Sequence, residues 1–375
     1  MQAATLVRNA RLVSGLVLMA FVLSHLTNLT LGIHSLAAME AWRPVLMGPW
    51  RSNIGVSLLA GAALLHIALG LYAMSARRSL AMSRTDVVQL CLGLLTPPLL
   101  LNHAVVMYMA GRVTPDFDST FGQMLAVYWS FSPRYAFQQL LVVMIVWVHG
   151  ALGLYSWLVL KPVWRRIGGF VLPVLFAVPI LALVGFEEAG KEVLDRLAGD
   201  PAWRGHVIDN LNEVVKVTSL LDTFQARILI VYGCLVLLAA AFFAARMLRD
   251  RLTPVSVAYD GGLTAQGRRG LSILELSRGN DIPHAHVCGG RGRCGTCRVH
   301  VEAGAPSLSP TNDLERETLA RVGAGEGDRL ACQALVLGAG ISVTRLLPPY
   351  ADASAARDPL EWIADAHEPV GEPAP

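Results

Sequence analysis

Four cysteines toward the C-terminal end form the group with the clearest chemistry in this sequence. Cys288, Cys294 and Cys297 stand on one glycine-rich stretch, CGGRGRCGTC, and Cys332 follows in RLACQ. Four thiolates, two per iron, hold a [2Fe-2S] cluster on a loop of this kind. Glycines suit the loop because they adopt positive φ and let backbone N–H groups approach the sulfurs. The loop glycines are Gly289, Gly290, Gly292 and Gly295.

A structural zinc site, which also takes four cysteines, is the alternative interpretation. Zinc ligands usually stand in two short knuckles, whereas Cys332 stands alone here. The C-x5-C-x2-C spacing, the glycines and RLACQ together favour the iron–sulfur cluster. Cys91 and Cys234 lie in apolar runs, where cysteine behaves as a small hydrophobe. No disulfide framework is therefore expected, which fits a reducing compartment.

Four histidines stand inside long apolar runs of the first two thirds of the chain: His25, His66, His103 and His149. Ionisable side chains at membrane depth are rare and mark functional sites. At about 1.5 Å of helix per residue, His25 and His103 fall at an outer level and the other two at an inner level. One haem iron takes two axial ligands. We therefore predict His25 with His103 at an outer haem and His66 with His149 at an inner haem. The alternative is that each histidine makes an interhelical hydrogen bond.

A short internal repeat surrounds two of these histidines. HIALGLY at His66 matches HGALGLY at His149, and a glycine follows each histidine at the i+4 position, Gly70 and Gly153. Residues i and i+4 share one face of a helix, so these glycines leave room for a flat porphyrin beside the ligand. The repeat also predicts that pairs of helices are duplicated.

Six apolar runs predict a membrane-spanning, all-α six-helix bundle over residues 1–250. The runs lie near 12–33, 54–75, 87–110, 138–160, 168–186 and 226–246. Pro173 and Pro179 predict a kink in the fifth helix. If six helices alternate, the basic residues at their ends collect on one face, which is then cytoplasmic, together with both termini and the cysteine loop. These residues are Arg8, Arg11, Arg77, Arg78, Arg84, Lys161, Arg165, Arg166, Arg246, Arg249 and Arg251.

Three further segments complete the predicted organisation. Residues 187–225 carry apolar side chains at helical spacing and predict one or two amphipathic helices that cap the outer surface. Residues 253–348 alternate short β-like runs with helical segments, in the order of a soluble α+β β-grasp domain. Residues 349–375 predict a linker or a disordered tail. A net charge of +3 is too small to indicate nucleic-acid binding, and no cleavable signal peptide is evident.

The six-helix anchor with four histidines resembles the dihaem cytochrome b subunits of succinate dehydrogenase and fumarate reductase. The cysteine spacing is similar to that of adrenodoxin-like ferredoxins. An anchor of this kind joined to such a ferredoxin resembles the N-terminal part of bacterial membrane-bound class III adenylate cyclases. The resemblance implies a bacterial inner membrane, two haem b groups, a response to the quinone pool, a following cyclase domain and a homodimer. The residues after Leu347 do not resemble a cyclase domain, so we expect no cyclic AMP synthesis by this chain alone.

Taken together, these patterns predict a membrane protein that transfers or senses electrons between haem b and a cytoplasmic [2Fe-2S] cluster. A plant-type cluster near about −400 mV would pass electrons toward the haems. Two alternatives stay open: a quinone reductase module fed by a soluble reductase, and a structural anchor with unliganded histidines. Candidate quinone contacts are His34, Tyr128, Trp129, Arg134 and Asp222. Arg77, Arg78, Arg165 and Arg166 either meet haem propionates or act only as orientation signals.

Overall fold

Among the described residues, six helices are long and apolar enough to cross a membrane, and all six lie in the first two thirds of the chain. The structure is a computed structural model that describes residues 3–79, 82–114, 117–250 and 253–357. The six helices are α1 (Ala3–Thr30), α4 (Asn53–Ser75), α5 (Arg84–Val105), α8 (Pro133–Leu158), α9 (Trp164–Gly199) and α10 (Pro201–Asp250). Each predicted apolar run overlaps one of them. Arg251, one of the predicted orientation signals, lies outside the described residues.

Short helices connect the long ones at the far ends of α1 and α5. They are α2 (Leu36–Leu46), α3 (Gly48–Arg51), α6 (Gly111–Val113) and α7 (Phe121–Ala126). The Glu40 carboxylate of α2 accepts hydrogen bonds from the first two backbone N–H groups of α7, at 2.5 Å and 3.3 Å. A carboxylate suits this place because the first N–H groups of a helix lack partners within it. The bond ties the two connections together.

Residues 187–225, for which the sequence predicts one or two amphipathic helices, are helical and belong to the two longest helices. Helix α9 runs unbroken to Gly199, and α10 begins at Pro201. Asp200 sets the boundary, because its carboxylate accepts from Trp203 N at 3.0 Å and proline is favoured in the first turn of a helix. Helix α9 also continues through Pro173 and Pro179.

Two glycines bring α1 and α9 into close contact at the end of α1. A Cβ atom on Gly185 would lie 2.0 Å from the carbonyl oxygen of Leu29, and one on Gly32 would lie 2.2 Å from that of Gly185. Such close backbone approach is typical of helix packing in membranes, where small residues form the interface. There is therefore no room for a larger side chain at Gly32 or at Gly185.

A mixed five-stranded sheet forms the core of the C-terminal domain. Its strands are β1 (Pro254–Tyr259), β2 (Thr264–Arg268), β3 (Arg298–Ala303), β4 (Asp328–Leu330) and β5 (Ile341–Arg345). Their order in the sheet is β2-β1-β5-β3-β4, with β1 and β5 parallel and the other pairs antiparallel. Helices α11 (Ile273–Gly279) and α12 (Asp313–Arg321) accompany the sheet. The fully buried Val257, Ile273, Val299, Leu330 and Val336 belong to one core.

The tail contains a short helix, α13 (Ala353–Arg357), within the segment that we predicted to be a linker or disordered. Ala355 and Ala356 are buried. Ala356 packs in one apolar cluster with Cys288 and Cys294. The alanine side chains are small enough for this close packing. The amino-acid composition of the tail does not predict it. Residues 358–375 lie outside the described residues.

A cross-strand pair between β3 and β4 predicts a small dependence of stability on pH. The Asp328 carboxylate bonds to His300 at 3.0 Å and raises the pKa of His300. The unfolded chain has a histidine pKa of about 6.5, and the higher pKa in the folded state stabilises the domain fully below that pH. This contribution to the free energy of unfolding is lost as pH rises through the pKa of the folded state. We expect the β3–β4 amides to lose up to about 1 kcal/mol of protection between about pH 5.5 and 9. Hydrogen exchange measures this, and His300→Gln should abolish the difference; an unchanged profile would contradict the assignment.

Candidate metal centres

The four cysteines meet on one side of the C-terminal domain. Cys288, Cys294 and Cys297 are buried on the loop between α11 and β3, and the half-buried Cys332 follows β4. All four loop glycines adopt positive φ, between 63° and 84°. L-residues with side chains rarely adopt this conformation, which is why the loop needs glycine. These glycines are Gly289, Gly290, Gly292 and Gly295.

The four thiols fall into two pairs of interacting neighbours, Cys288 with Cys294 and Cys297 with Cys332. The neighbouring Cys294 thiol, together with backbone N–H groups of the loop, lowers the pKa of Cys288 to about 5. The thiolate is the form that binds metal. A paired arrangement suits two irons with two thiolates each better than one tetrahedral zinc ion.

Thr296 and Gln333 add hydrogen bonds to the sulfurs that the sequence pattern did not single out. The Thr296 hydroxyl lies 3.0 Å from Cys294 Sγ, and its backbone N–H donates to the same sulfur at 3.5 Å. Gln333 Nε2 donates to Cys332 Sγ at 3.5 Å. Hydrogen bonds to cluster sulfurs help to set the reduction potential. Thr296 in GTC and Gln333 in ACQ each lie next to a cysteine, and this position is the sequence feature that could have indicated their role.

The structure brings the four histidines of the apolar helices together as two pairs. The ring centres of His25 and His103 are 6.1 Å apart, and those of His66 and His149 are 6.2 Å apart. These are the two pairings that helix depth predicted. Two imidazoles on one metal ion, each with a bond of about 2.0 Å, have ring centres about 6 Å apart. The spacing of both pairs therefore fits a shared metal centre.

Three of these histidines have Nδ1 within hydrogen-bond distance of a fixed oxygen. His66 Nδ1 lies 3.2 Å from the carbonyl oxygen of Arg11, and His149 Nδ1 lies 3.0 Å from that of Gln89. His103 Nδ1 lies 3.1 Å from the Tyr128 hydroxyl. A carbonyl bond at Nδ1 fixes the tautomer and leaves Nε2 to bind a metal. His25 Nδ1 is buried without a partner among the described residues.

Two glycines that the sequence analysis missed face the inner histidines. A Cβ atom on Gly15 would lie 3.0 Å from His66 Cε1, and one on Gly93 would lie 2.8 Å from His149 Cε1. At the two predicted glycines the surroundings differ. A Cβ atom on Gly153 would lie 3.2 Å from Gln89 Nε2, and one on Gly70 would have no neighbour within 4 Å. The histidine rings themselves contact Gly15 and Gly93 on the partner helices, and the room for a porphyrin beside Gly70 and Gly153 stays a prediction.

These positions reveal the duplication of the bundle. Helix α1 presents Arg11, Gly15 and His25 in the order and spacing in which α5 presents Gln89, Gly93 and His103. Helix α1 packs on α4, which carries His66, and α5 packs on α8, which carries His149. Each histidine pair therefore takes one member from each half of the bundle. The sequence repeat around His66 and His149 relates α4 to α8, and it does not reveal the corresponding relation between α1 and α5.

Among the described residues, two ion pairs join the cluster domain to the bundle. Asp86, buried at the start of α5, binds Arg291 of the cysteine loop at 2.7 Å, and Arg8 of α1 lies 3.6 Å from Glu317 of α12. Ser83 Oγ also donates to Asp86 at 2.7 Å. The loop approaches closely, since a Cβ atom on Gly289 would lie 3.2 Å from the Asp86 carboxylate. The cysteine loop thus rests on the helix that carries Gln89 and His103.

Two of the five candidate quinone contacts, Tyr128 and Trp129, both pack on Phe186. Tyr128 lies beside His103, and Trp129 packs on Phe186 with its Nε1 buried and unpartnered among the described residues. The other three candidates are exposed: His34, Arg134 and Asp222. Of the five, Tyr128 alone contacts a histidine of either pair in the part of the chain described.

Comparison with known proteins identifies the C-terminal domain. Residues 259–337 match the family model of the 2Fe-2S iron–sulfur cluster binding domain. Over 77 residues the chain is 36% identical to Chlorosome protein I of Chlorobaculum tepidum, spanning 20% of this chain and 32% of that one. It is 34% identical over 76 residues to 2Fe-2S ferredoxin-5 of Aquifex aeolicus, spanning 20% of this chain and 79% of the relative.

Two further matches lie in the same region. The chain is 34% identical over 82 residues to the F subunit of the Na(+)-translocating NADH-quinone reductase of Methylococcus capsulatus, spanning 22% of this chain and 19% of that relative. A crystal structure of the ISC-like [2Fe-2S] ferredoxin from Pseudomonas putida is 30% identical, spanning 26% of this chain and 94% of that one with a TM-score of 0.23. The predicted ferredoxin domain is confirmed by the family match and the Aquifex relative. Through this C-terminal domain, the chain belongs to the [2Fe-2S] ferredoxin family.

Proposed function

We propose that this chain is a membrane protein that transfers or senses single electrons between haem b in its helical bundle and a [2Fe-2S] cluster in its ferredoxin domain. One observation carries the proposal: two histidine pairs lie within the bundle, and the cysteine loop is bound to a helix that serves both pairs. Iron–sulfur electron transfer itself follows from the ferredoxin family. The haems, a quinone partner and a bacterial inner membrane with the ferredoxin on the cytoplasmic side are parts of the proposal.

The residues of both pairs fit haem ligation. The ring separations of 6.1 Å and 6.2 Å suit one iron between two imidazoles. The carbonyls of Arg11 and Gln89 hold His66 and His149 in the tautomer that presents Nε2. Gly15 and Gly93 keep the helix surface beside these rings free of side chains. Haem b, when bound, supplies one-electron chemistry whose potential the axial ligands and their hydrogen bonds adjust.

The cysteines fit a two-iron cluster. We assign Cys288 and Cys294 to one iron and Cys297 and Cys332 to the other, because the thiols form these two pairs. Backbone N–H groups of the glycine loop and the Thr296 hydroxyl surround the sulfurs and stabilise negative charge there. The loop also packs against the bundle, so electron exchange with the inner pair requires no separate docking step.

The composition of the purified protein tests this proposal directly. Full-length protein, expressed with haem supply and purified anaerobically, should contain two haems b by pyridine haemochrome and two cluster irons per chain. The alternative of a purely structural anchor predicts a cluster without a Soret band. A colourless, iron-free preparation would overturn the proposal as a whole.

A quinone reductase module is the second candidate function, and the match to one component of the Na(+)-translocating NADH-quinone reductase favours it. In this version, a soluble reductase supplies electrons at the cluster and a quinone accepts them at the bundle. It predicts steady quinone reduction with an artificial electron donor. Oxidation and reduction limited to a single turnover would support the sensing role instead, with a cyclase domain or another effector as partner.

Asp86→Asn should loosen the ferredoxin domain from the bundle. The change keeps the shape of the side chain but removes the charge that binds Arg291, and a hydrogen bond between charged groups contributes about 1.5–3 kcal/mol. Undocking should therefore become at least about tenfold more frequent. Hydrogen exchange of the 288–294 loop in the full chain measures this. The exposed Glu326→Gln variant is the matched control, and equal exchange in both variants would show that the pair does not hold the loop.

A further inference from the structure

Positive charge of the ferredoxin domain collects beside two of the cluster thiols, Cys288 and Cys294. The half-buried Arg293 interacts electrostatically with the Cys288 thiolate. Arg321 of α12 interacts with both thiolates. Its guanidinium donates to the backbone carbonyl of Arg293 at 2.6 Å. A carbonyl carries no net charge, so this bond fixes Arg321 beside the loop and leaves it cationic.

The helical bundle adds positive charge where it meets the cysteine loop. The half-buried Arg11 of α1 interacts electrostatically with Arg291 and Arg293 of the loop. Arg77, which follows α4, also interacts with Arg291. Burial and the neighbouring Arg291 and Arg11 lower the pKa of Arg293 to about 10. Like charges of the two parts of the molecule are thus held close together at this contact.

Two carboxylates at the same contact each meet an arginine from the facing part. Asp86 of the bundle binds Arg291 at 2.7 Å. Glu317 of the ferredoxin domain lies 3.6 Å from Arg8 of the bundle. Arg11 adds its charge beside these two pairs, on the same helix as Arg8. Because it belongs to the bundle, it faces the cysteine loop only while the ferredoxin domain is docked.

Reduction changes the charge that these arginines meet. Four thiolates and two sulfide ions outweigh the charge of two ferric ions, so a [2Fe-2S] centre is anionic. One-electron reduction converts one ferric ion to ferrous, makes and breaks no bond, and adds one negative charge. A nearby cation therefore stabilises the reduced form more than the oxidised form, and the effect is larger at a half-buried site than in water.

We propose that Arg11 couples the redox state of the cluster to docking of the ferredoxin domain on the bundle. Docking brings the guanidinium to the cysteine loop and raises the reduction potential of the cluster. By linkage, reduction strengthens docking by the same factor. Arg293 moves with the domain and acts in both positions, so the bundle residue alone makes the potential depend on docking. This inference rests on the cluster of the proposed function and requires neither haem nor quinone.

An anaerobic redox titration of the full-length protein tests the proposal, with dithionite as the one-electron donor and EPR of the reduced cluster as the signal. Arg11→Gln should lower the reduction potential by at least about 28 mV, a threefold change in the reduction equilibrium. Arg11→Lys keeps the charge and should retain the original potential. Arg227→Gln should also retain it, because this exposed arginine lies about 35 Å along α10 from the ferredoxin end of the helix.

Hydrogen exchange of the 288–294 loop in the full chain tests the reciprocal effect. The dithionite-reduced protein should undock at least about threefold less often than the oxidised protein. This difference should become smaller in Arg11→Gln and stay the same in Arg227→Gln. Equal exchange of the loop in both redox states would overturn the proposal, as would a potential that is equal in Arg11→Gln and Arg227→Gln. An equal decrease in Arg11→Lys and Arg11→Gln would assign the effect to shape instead of charge and would also overturn it.

Absorption spectra of the same samples separate this proposal from the proposed function. A haem-free chain that shows both shifts would refute only the haem part of that function. Unshifted potentials in a chain that contains the cluster and both haems would refute only the coupling through Arg11.

Discussion

Replacement of His66 or His149 by alanine is expected to remove the inner haem and leave the outer haem in place. An axial ligand cannot be substituted by a methyl group, and the two rings come from different halves of the bundle, so neither can take over the other's role. His25→Ala and His103→Ala should likewise remove only the outer haem. Pyridine haemochrome on the purified variants should fall from two haems per chain to one, and the His25→Ala/His66→Ala variant should contain none.

The exposed His34→Ala variant is the control for these substitutions and should keep both haems. The pairing itself is tested by comparing His66→Ala with His149→Ala, which should lose the same absorption component in a redox titration. Full haem content in both His25→Ala and His66→Ala would rule out the ligand assignment. Loss of different components from His66→Ala and His149→Ala would rule out the pairing.

Glu315→Ala is expected to destabilise the ferredoxin domain by about 3–5 kcal/mol, because removing one partner leaves the other buried charge uncompensated. The fully buried Glu315 carboxylate accepts from Arg329 at 2.8 Å and 3.0 Å and from the backbone N–H of Leu330 at 2.8 Å. Alanine would leave the Arg329 guanidinium, whose side chain is 13% exposed, without its counter-charge. Cys332 follows two residues after Leu330, so the cluster should be lost at lower denaturant concentration.

Glu317→Ala on the same helix provides the matched comparison. Its carboxylate is 56% exposed and lies 3.6 Å from Arg8, and exposed ion pairs contribute no more than about 1 kcal/mol. Denaturant titration of the cluster's visible absorbance in the full-length protein should therefore separate the two variants clearly. Similar midpoints for both variants would show that burial of Glu315 does not matter as argued.

The sequence was most informative where the chemistry is local. Glycines at defined positions around Cys288, Cys294 and Cys297 specify a loop within ten residues, and histidine depth follows from counting along a helix. Contacts between segments that are distant in the sequence could not be predicted from such local patterns. Gly15 and Gly93 matter only because the facing helix places a histidine against each, and nothing near Asp86 in the sequence indicates that Arg291 will reach it.

The helix boundaries show a second limit of local patterns. Residues 187–225 change from apolar to charged composition after the fifth apolar run. Helix formation does not depend on that change, and the chain turns only at Asp200 and Pro201, where a side-chain cap and a ring that fits the first turn coincide. Composition indicates which solvent a segment meets, whereas capping residues decide where its helix begins.

The two ion pairs beneath the ferredoxin domain have a consequence for assembly. Arg8 and Asp86 precede Arg11 and Gln89 by the same interval, so they occupy matching places in the two copies of the helix unit while carrying opposite charge. Without this difference in charge, an approximately twofold-symmetric bundle could bind the domain in two equivalent orientations, related by a rotation of 180°. Turning the domain would set Arg291 against Arg8 and Glu317 against Asp86. Electrostatic repulsion thus disfavours the turned orientation.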